Sequence, residues 1–287
     1  MAGVTQRNYG EEAYYKLSSA YFNSELYIDS FMGAALRGDS DFTGACCGVR
    51  AEVAKAGARW FSAAYAMHEV DAGVCYATGC NNRTISKTLA AEEILHGMAL
   101  LTGADSASVL VGSAGTANPA TLFQASNVAG VHFCTHKKNS KKDPLAPANR
   151  LTVTGHAAAS AAAGAGDAGA LAARYTDIEK ALVARFLQYS LQAAGDASKP
   201  ASKGALKKAG ACRAPCLRKA QQAAARTYFR AVEPIIARAN AGLVTDANAL
   251  LGAESPAKMN KPLAKIYKAI IATLGMDAKA VAFKCKA

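Results

Sequence analysis

Apolar residues in this chain recur three and four positions apart, and strict apolar–polar alternation is nearly absent. Leu17, Tyr21, Ser24, Ile28, Phe31 and Ala35 follow spacings of 4-3-4-3-4, which lines up one face of an α-helix. The same pattern predicts helices near 11–37, 49–72, 87–102, 120–136 and 175–194, with two more at about 217–240 and 259–274. The class read from this is all-α. Composition fits it: the chain is 51% hydrophobic but only 7% aromatic, so Ala, Leu and Val must carry the packing, and Ala is the best helix former. Residues 155–174 are almost entirely Ala and Gly, either a very closely packed helix or a linker. The expected core comprises Leu17, Ile28, Trp60, Leu89, Leu100, Phe123, Val131, Leu182 and Phe186.

A length of 287 residues allows one large domain or two small ones. The helical patterns place a compact bundle at 11–195, a basic linker at 196–216 and a C-terminal helical extension at 217–287. No apolar run approaches the ~20 residues that span a bilayer. The opening "MAGVTQRNYG" lacks the apolar centre of a secretory signal, so a secreted form would have lost its signal or lack it here.

Eight cysteines stand at 46, 47, 75, 80, 134, 212, 216 and 285. The close pairs suggest local disulfides, Cys75–Cys80 and Cys212–Cys216, and an oxidising compartment. The pairing of Cys46, Cys47, Cys134 and Cys285 stays open. A zinc site is the weaker reading, because no C-x2-C spacing occurs. Asn82-Arg83-Thr84 is a glycosylation sequon that fits the same compartment, and the expected location is secreted or extracellular. A net charge of +12 favours anionic partners, acidic polysaccharide or nucleic acid. The basic residues gather at 136–143 and 199–230 without the interleaved aromatics that single-strand binding would want.

The stretch "LAAEEILHGMALLTGA" (89–104) carries the most chemistry. Ser86 or Thr88 can cap its helix, and Leu89, Glu93, His96 and Leu100 share one narrow face, opposite Ile94, Met98 and Leu101. Such a helix is expected to be buried, with Glu93 and His96 needing partners. A glutamate and a histidine one turn apart can bond each other or share a metal ion. His132 and His136, four apart, are a lesser metal candidate.

Three segments resemble a known family. "YFNSELYIDSFMGAALRG" (21–38) looks like the first helix of the ferritin-like family that includes plant desiccation-related proteins and their bacterial relatives. "AAEEILHGMALL" is similar to its second helix and "LFQASNVAGVHF" (122–133) to its third. The resemblance implies a ferritin-like helical bundle with extra C-terminal helices. It puts metal ligands at Glu25, Glu93 and His96, converging in the bundle interior. Asn127 stands where the family's third-helix glutamate falls, as a substituted ligand facing them. No E-x-x-H marks a fourth helix, where His156 and Glu179 are the additional candidates; an alternative register puts the second helix at "AAYAMHEVDAG", with Glu69 as its carboxylate. Three ligands against the six of a complete di-metal site imply no metal, or one weakly held iron or manganese ion. The implied role is structural or stress-associated. A working di-iron or manganese oxidase is the alternative, and a basic module for acidic polysaccharide or nucleic acid a second one. No G-x-S-x-G elbow and no glycine-rich phosphate loop after a strand supports another enzyme class.

Overall fold

The computed structural model describes residues 12–103, 121–135, 145–199, 216–253, 259–278 and 281. Among these residues the chain is all-α, with no strand. The helices are α1 (Ala13–Phe22), α2 (Tyr27–Arg37), α3 (Cys47–Thr78), α4 (Lys87–Thr102), α5 (Leu122–His132), α6 (Pro147–Ala165), α7 (Ala168–Ser198), α8 (Leu217–Arg230), α9 (Glu233–Leu251) and α10 (Asn260–Thr273). Short 3-10 turns lie at Ser40–Phe42 and Cys80–Asn82.

Local chemistry sets the helix ends. The Ser86 side chain accepts from the Leu89 amide at 3.3 Å and opens α4, and Gly103, at φ 70°, closes it in the left-handed conformation. Thr121 caps α5 in the same way through the Gln124 amide. The single helix expected over 11–37 is two. Asn23 turns left-handed at φ 49° and ends α1, a conformation Asn tolerates better than most residues, and α2 restarts at Tyr27. The Ala- and Gly-rich stretch 155–174 is helical, divided between α6 and α7 at Gly166.

The chain divides into two compact units, one of Met1–Leu26, Phe61–Arg185 and Lys284–Ala287, the other of Tyr27–Trp60 and Phe186–Phe283. The division therefore does not fall at the basic linker expected over 196–216. Residues 196–198 belong to α7, and 200–215 lie outside the described residues, as does the basic stretch 136–143.

In the first unit the second half of α3 packs on α4 through small residues. A Cβ on Gly97 would stand 2.7 Å from the Ala66 carbonyl oxygen, and one on Gly73 would stand 2.8 Å from that of Ala90. Backbones this close admit no side chain, so α4 turns Ala90, Ile94, Gly97, Met98 and Leu101 inward. Met98, Phe123 and Val153 form a core cluster beside it. The face Leu89–Glu93–His96–Leu100 consequently points outward. Leu89 and Leu100 are exposed, contrary to expectation, and so is Val131 on α5, while Leu17 is only half-buried. Ile28, Trp60, Phe123, Leu182 and Phe186 are buried as expected.

In the second unit Phe31 meets the rings of Phe42 and Trp60, and Ala34, Ala35, Phe42 and Val53 form a core cluster. Cys46 and Cys216 are bonded across 170 residues of sequence, which replaces the expected local Cys212–Cys216 pair. Cys212 itself lies outside the described residues. Cys75 and Cys80 are bonded, and Cys47 and Cys134 are also in disulfides. By chain-entropy arithmetic the 170-residue loop is worth about 5 kcal/mol and the five-residue loop about 2 kcal/mol.

The close α3–α4 approach separates two glycines by sign. Gly97→Ala gains about 1 kcal/mol of helix propensity but overpacks against backbone, which typically costs ~1–3 kcal/mol. Gly164→Ala, at an exposed position of α6, meets nothing nearer than the Ala91 Cβ at 3.9 Å and keeps the gain. Urea unfolding should show Gly97→Ala destabilised and Gly164→Ala stabilised.

Candidate metal centre

Ligand atoms of Glu69, Glu93 and His96 all lie within 4.8 Å of one another, one group of this kind among the described residues. Glu69 comes from α3, Glu93 and His96 from α4. His96 Nδ1 donates to Glu93 Oε2 at 3.2 Å. The missing side chain of Gly97 lets α3 lie against α4 here: its Cβ would be 3.5 Å from that of Glu69. The two glutamates are half-buried and the imidazole is exposed, so the group opens to solvent at the edge of the helix pair.

The two carboxyls share a proton. Burial, then the hydrogen bond to Glu93, raise Glu69 to about 7. Burial also opposes charge on Glu93, but the hydrogen bonds from Glu69 and His96 and the nearby charges of His96 and Arg83 outweigh it and hold Glu93 below the usual range. Below about pH 7 the proton therefore sits on Glu69, which donates to an ionised Glu93. One ion could be held by two carboxylate oxygens and an imidazole nitrogen, a donor set suited to manganese or iron. Its binding would displace the Glu69 proton.

Glu25 is not part of this group. It falls in the turn between α1 and α2 and is exposed, because Asn23 breaks the helix that would have carried it inward. Asn127 is committed elsewhere: its Oδ1 accepts from the Ala146 amide at 3.0 Å and from Asn149 Nδ2 at 2.9 Å. Asn149 in turn accepts from Arg185 Nη2 at 3.1 Å, and the same Nη2 donates to Thr152 Oγ1 at 2.7 Å, within a fully buried network. His156 is fully buried, donates through Nδ1 to the Thr152 carbonyl at 2.8 Å, and is pushed down to about 4 by burial. Glu179 is buried near Asp71, apart from the three-residue group. His132 is exposed and His136 lies outside the described residues. Asn82 is exposed at φ 56°, at the end of the 3-10 turn that starts from the bonded Cys80.

No family model, curated protein or solved structure matches the chain.

Sequence reasoning missed a second acidic cluster. Asp71, one turn beyond His68, accepts from the Tyr14 amide at 3.0 Å, while His68 Nδ1 donates to both oxygens of Glu12 at 2.8 Å. The Tyr175 hydroxyl also approaches Asp71. The signal in sequence was three polar residues, His68, Glu69 and Asp71, in an otherwise apolar helical run. Adjacent residues point about 100° apart on a helix, so Glu69 joins α4 while His68 meets Glu12 and Asp71 meets Tyr14.

Burial raises Asp71 to about 7, with the charges of Glu12 and Glu179 adding to it. The native state thus holds a proton that the unfolded chain releases near its ordinary carboxyl value of 3.8. This stabilisation is complete below that value and is lost as pH rises through about 7, on the order of 4 kcal/mol in all. Asn at this position keeps the acceptor for Tyr14 without the titration. Denaturation at several pH values should show Asp71→Asn gaining several kcal/mol over the wild type between pH 4 and 8. A difference flat with pH would exclude a buried, protonated Asp71.

Proposed function

We propose that the chain is a ferritin-like helical-bundle protein of an oxidising, extracellular setting, structural or stress-associated in role, with a reduced metal centre at Glu69, Glu93 and His96. The observation that carries this reading is the convergence of those three donors from two neighbouring helices. Three protein ligands suit one ion, with solvent completing its coordination on the exposed His96 side, and would not suit a di-metal cofactor. Bound there, iron or manganese would supply a Lewis-acidic, redox-capable centre.

The chain's own residues set the conditions. Glu93 offers charge, His96 offers nitrogen, and Glu69 becomes a ligand once it has lost its proton. The disulfides support the compartment, since such bonds persist where thiols are not kept reduced. No helix among the described residues is long and apolar enough to cross a membrane. In that setting the exposed Asn82, with Thr84 exposed two residues on, is a proposed glycan acceptor.

The test is a Mn2+ titration of the purified protein, followed by the resonance signal of the free ion. One site per chain is expected. Its affinity should be about tenfold higher at pH 8 than at pH 6, because Glu69 ionises through about 7. Glu69→Gln and His96→Ala should each abolish it, and Glu25→Gln should leave it unchanged. Two ions per chain, or none, would contradict the reading.

A further inference from the structure

α10 carries a row of lysines that the sequence pattern had not singled out. Lys261, Lys265 and Lys268 follow one another at four and three residues, within an arc of about 60° and over about 10 Å of helix. All three are exposed. The helix "NKPLAKIYKAIIAT" contains no acidic residue. None of the three lysines is in an ion pair among the described residues.

The opposite face fixes the direction of the row. Leu263, Tyr267, Ile270 and Ile271 are buried. Tyr267 stacks on Phe229 with ring centroids 5.5 Å apart, and its hydroxyl lies 2.6 Å from Ser190 Oγ. Rotating the helix to hide the lysines would tear that ring from its stack and leave the hydroxyl without Ser190. The cations are therefore held outward and close together, where their mutual repulsion costs free energy unless an anion meets them.

We infer that the lysine face of α10 is a docking surface for a linear anionic polysaccharide bearing sulfate or carboxylate groups. Three ammonium groups spaced along one line match a partner whose charges repeat along a chain. The groups are point charges on flexible stems, without the planar fork that selects phosphate or carboxylate geometry in pairs. The helix's single aromatic residue, Tyr267, is buried, so bases would have no ring to stack on, which disfavours single-stranded nucleic acid. This choice of partner rests on the oxidising, extracellular setting proposed above, which the disulfides support and where acidic polysaccharides are met.

The experiment compares the wild type with Lys261→Ala/Lys265→Ala/Lys268→Ala, using heparin as the sulfated probe, by calorimetry and by salt elution from a heparin column. A control removes the same charge from exposed, scattered positions, Lys16→Ala/Lys55→Ala/Lys219→Ala. A triple Gln variant of the row keeps side-chain length. Both row variants should bind at least tenfold more weakly near physiological salt and with a shallower salt slope, while the control changes less than threefold. Equal losses in row and control would reduce the effect to net charge and overturn the proposal. Unchanged binding in the row variants would overturn it too. Single- or double-stranded DNA displacing heparin at lower concentration than heparin displaces itself would show nucleic acid to be the partner instead.

Discussion

The first unit depends on how closely α3 and α4 approach. Gly73 and Gly97 have backbone oxygens of the facing helix where a Cβ would stand, and Ala90 adds the smallest side chain to the seam. Close approach gains dispersion contacts along both backbones and fixes the rotation of each helix about its axis. With α4 set that way, Ile94 and Met98 are buried, Leu89 and Leu100 are left in solvent, and Glu93 and His96 meet Glu69 at the rim. The candidate centre is thus a by-product of packing geometry: the same glycine that admits the α3 backbone admits Glu69.

The polar interior is the costlier part of the molecule. Unpaired burial of such groups costs on the order of 1–3 kcal/mol each, more for charges. Many of the buried groups here answer one another, while Ser18 Oγ and His156 Nε2 have no hydrogen-bond partner among the described residues. Arg185 is held by Asn149 and Thr152, Asn149 by the Phe123 carbonyl and Asn127, and Glu12 by His68. Asp71 avoids the cost of a buried charge by keeping its proton. Directional partners of this kind act on register, since sliding either helix by one residue would strand several of them at once. Asn127 shows the consequence: a residue that resembled a lost ligand ties α5 to the start of α6 through Ala146 and Asn149.

Much of this was legible in the sequence. The extent of α4 followed from its apolar run and a cap at Ser86 or Thr88, and the Glu93–His96 pair from its spacing. The burying face did not follow, because apolar periodicity weighs Leu89 and Leu100 above Gly97, whereas the packing was decided by the residue with no side chain. Glu25 was misplaced because one left-handed Asn23 undid a pattern that otherwise ran smoothly through it. Glu69 was visible only as an alternative register, since its partner on α4 depends on how two helices meet. Cys216 could not be paired from spacing, because a bond across 170 residues records the folded topology and not the local chain.

The most direct measurement is the titration of the Glu69 carboxyl, followed by side-chain carbon resonances in the wild type and in Glu93→Gln. If Glu69 and Glu93 form one proton-sharing pair at the α3–α4 seam, the wild-type midpoint lies at about 7. Removing the Glu93 charge should move it downward, because that charge and its hydrogen bond both raise Glu69. A wild-type midpoint at the ordinary carboxyl value of 4.5, unchanged by Glu93→Gln, would mean that the two side chains do not meet.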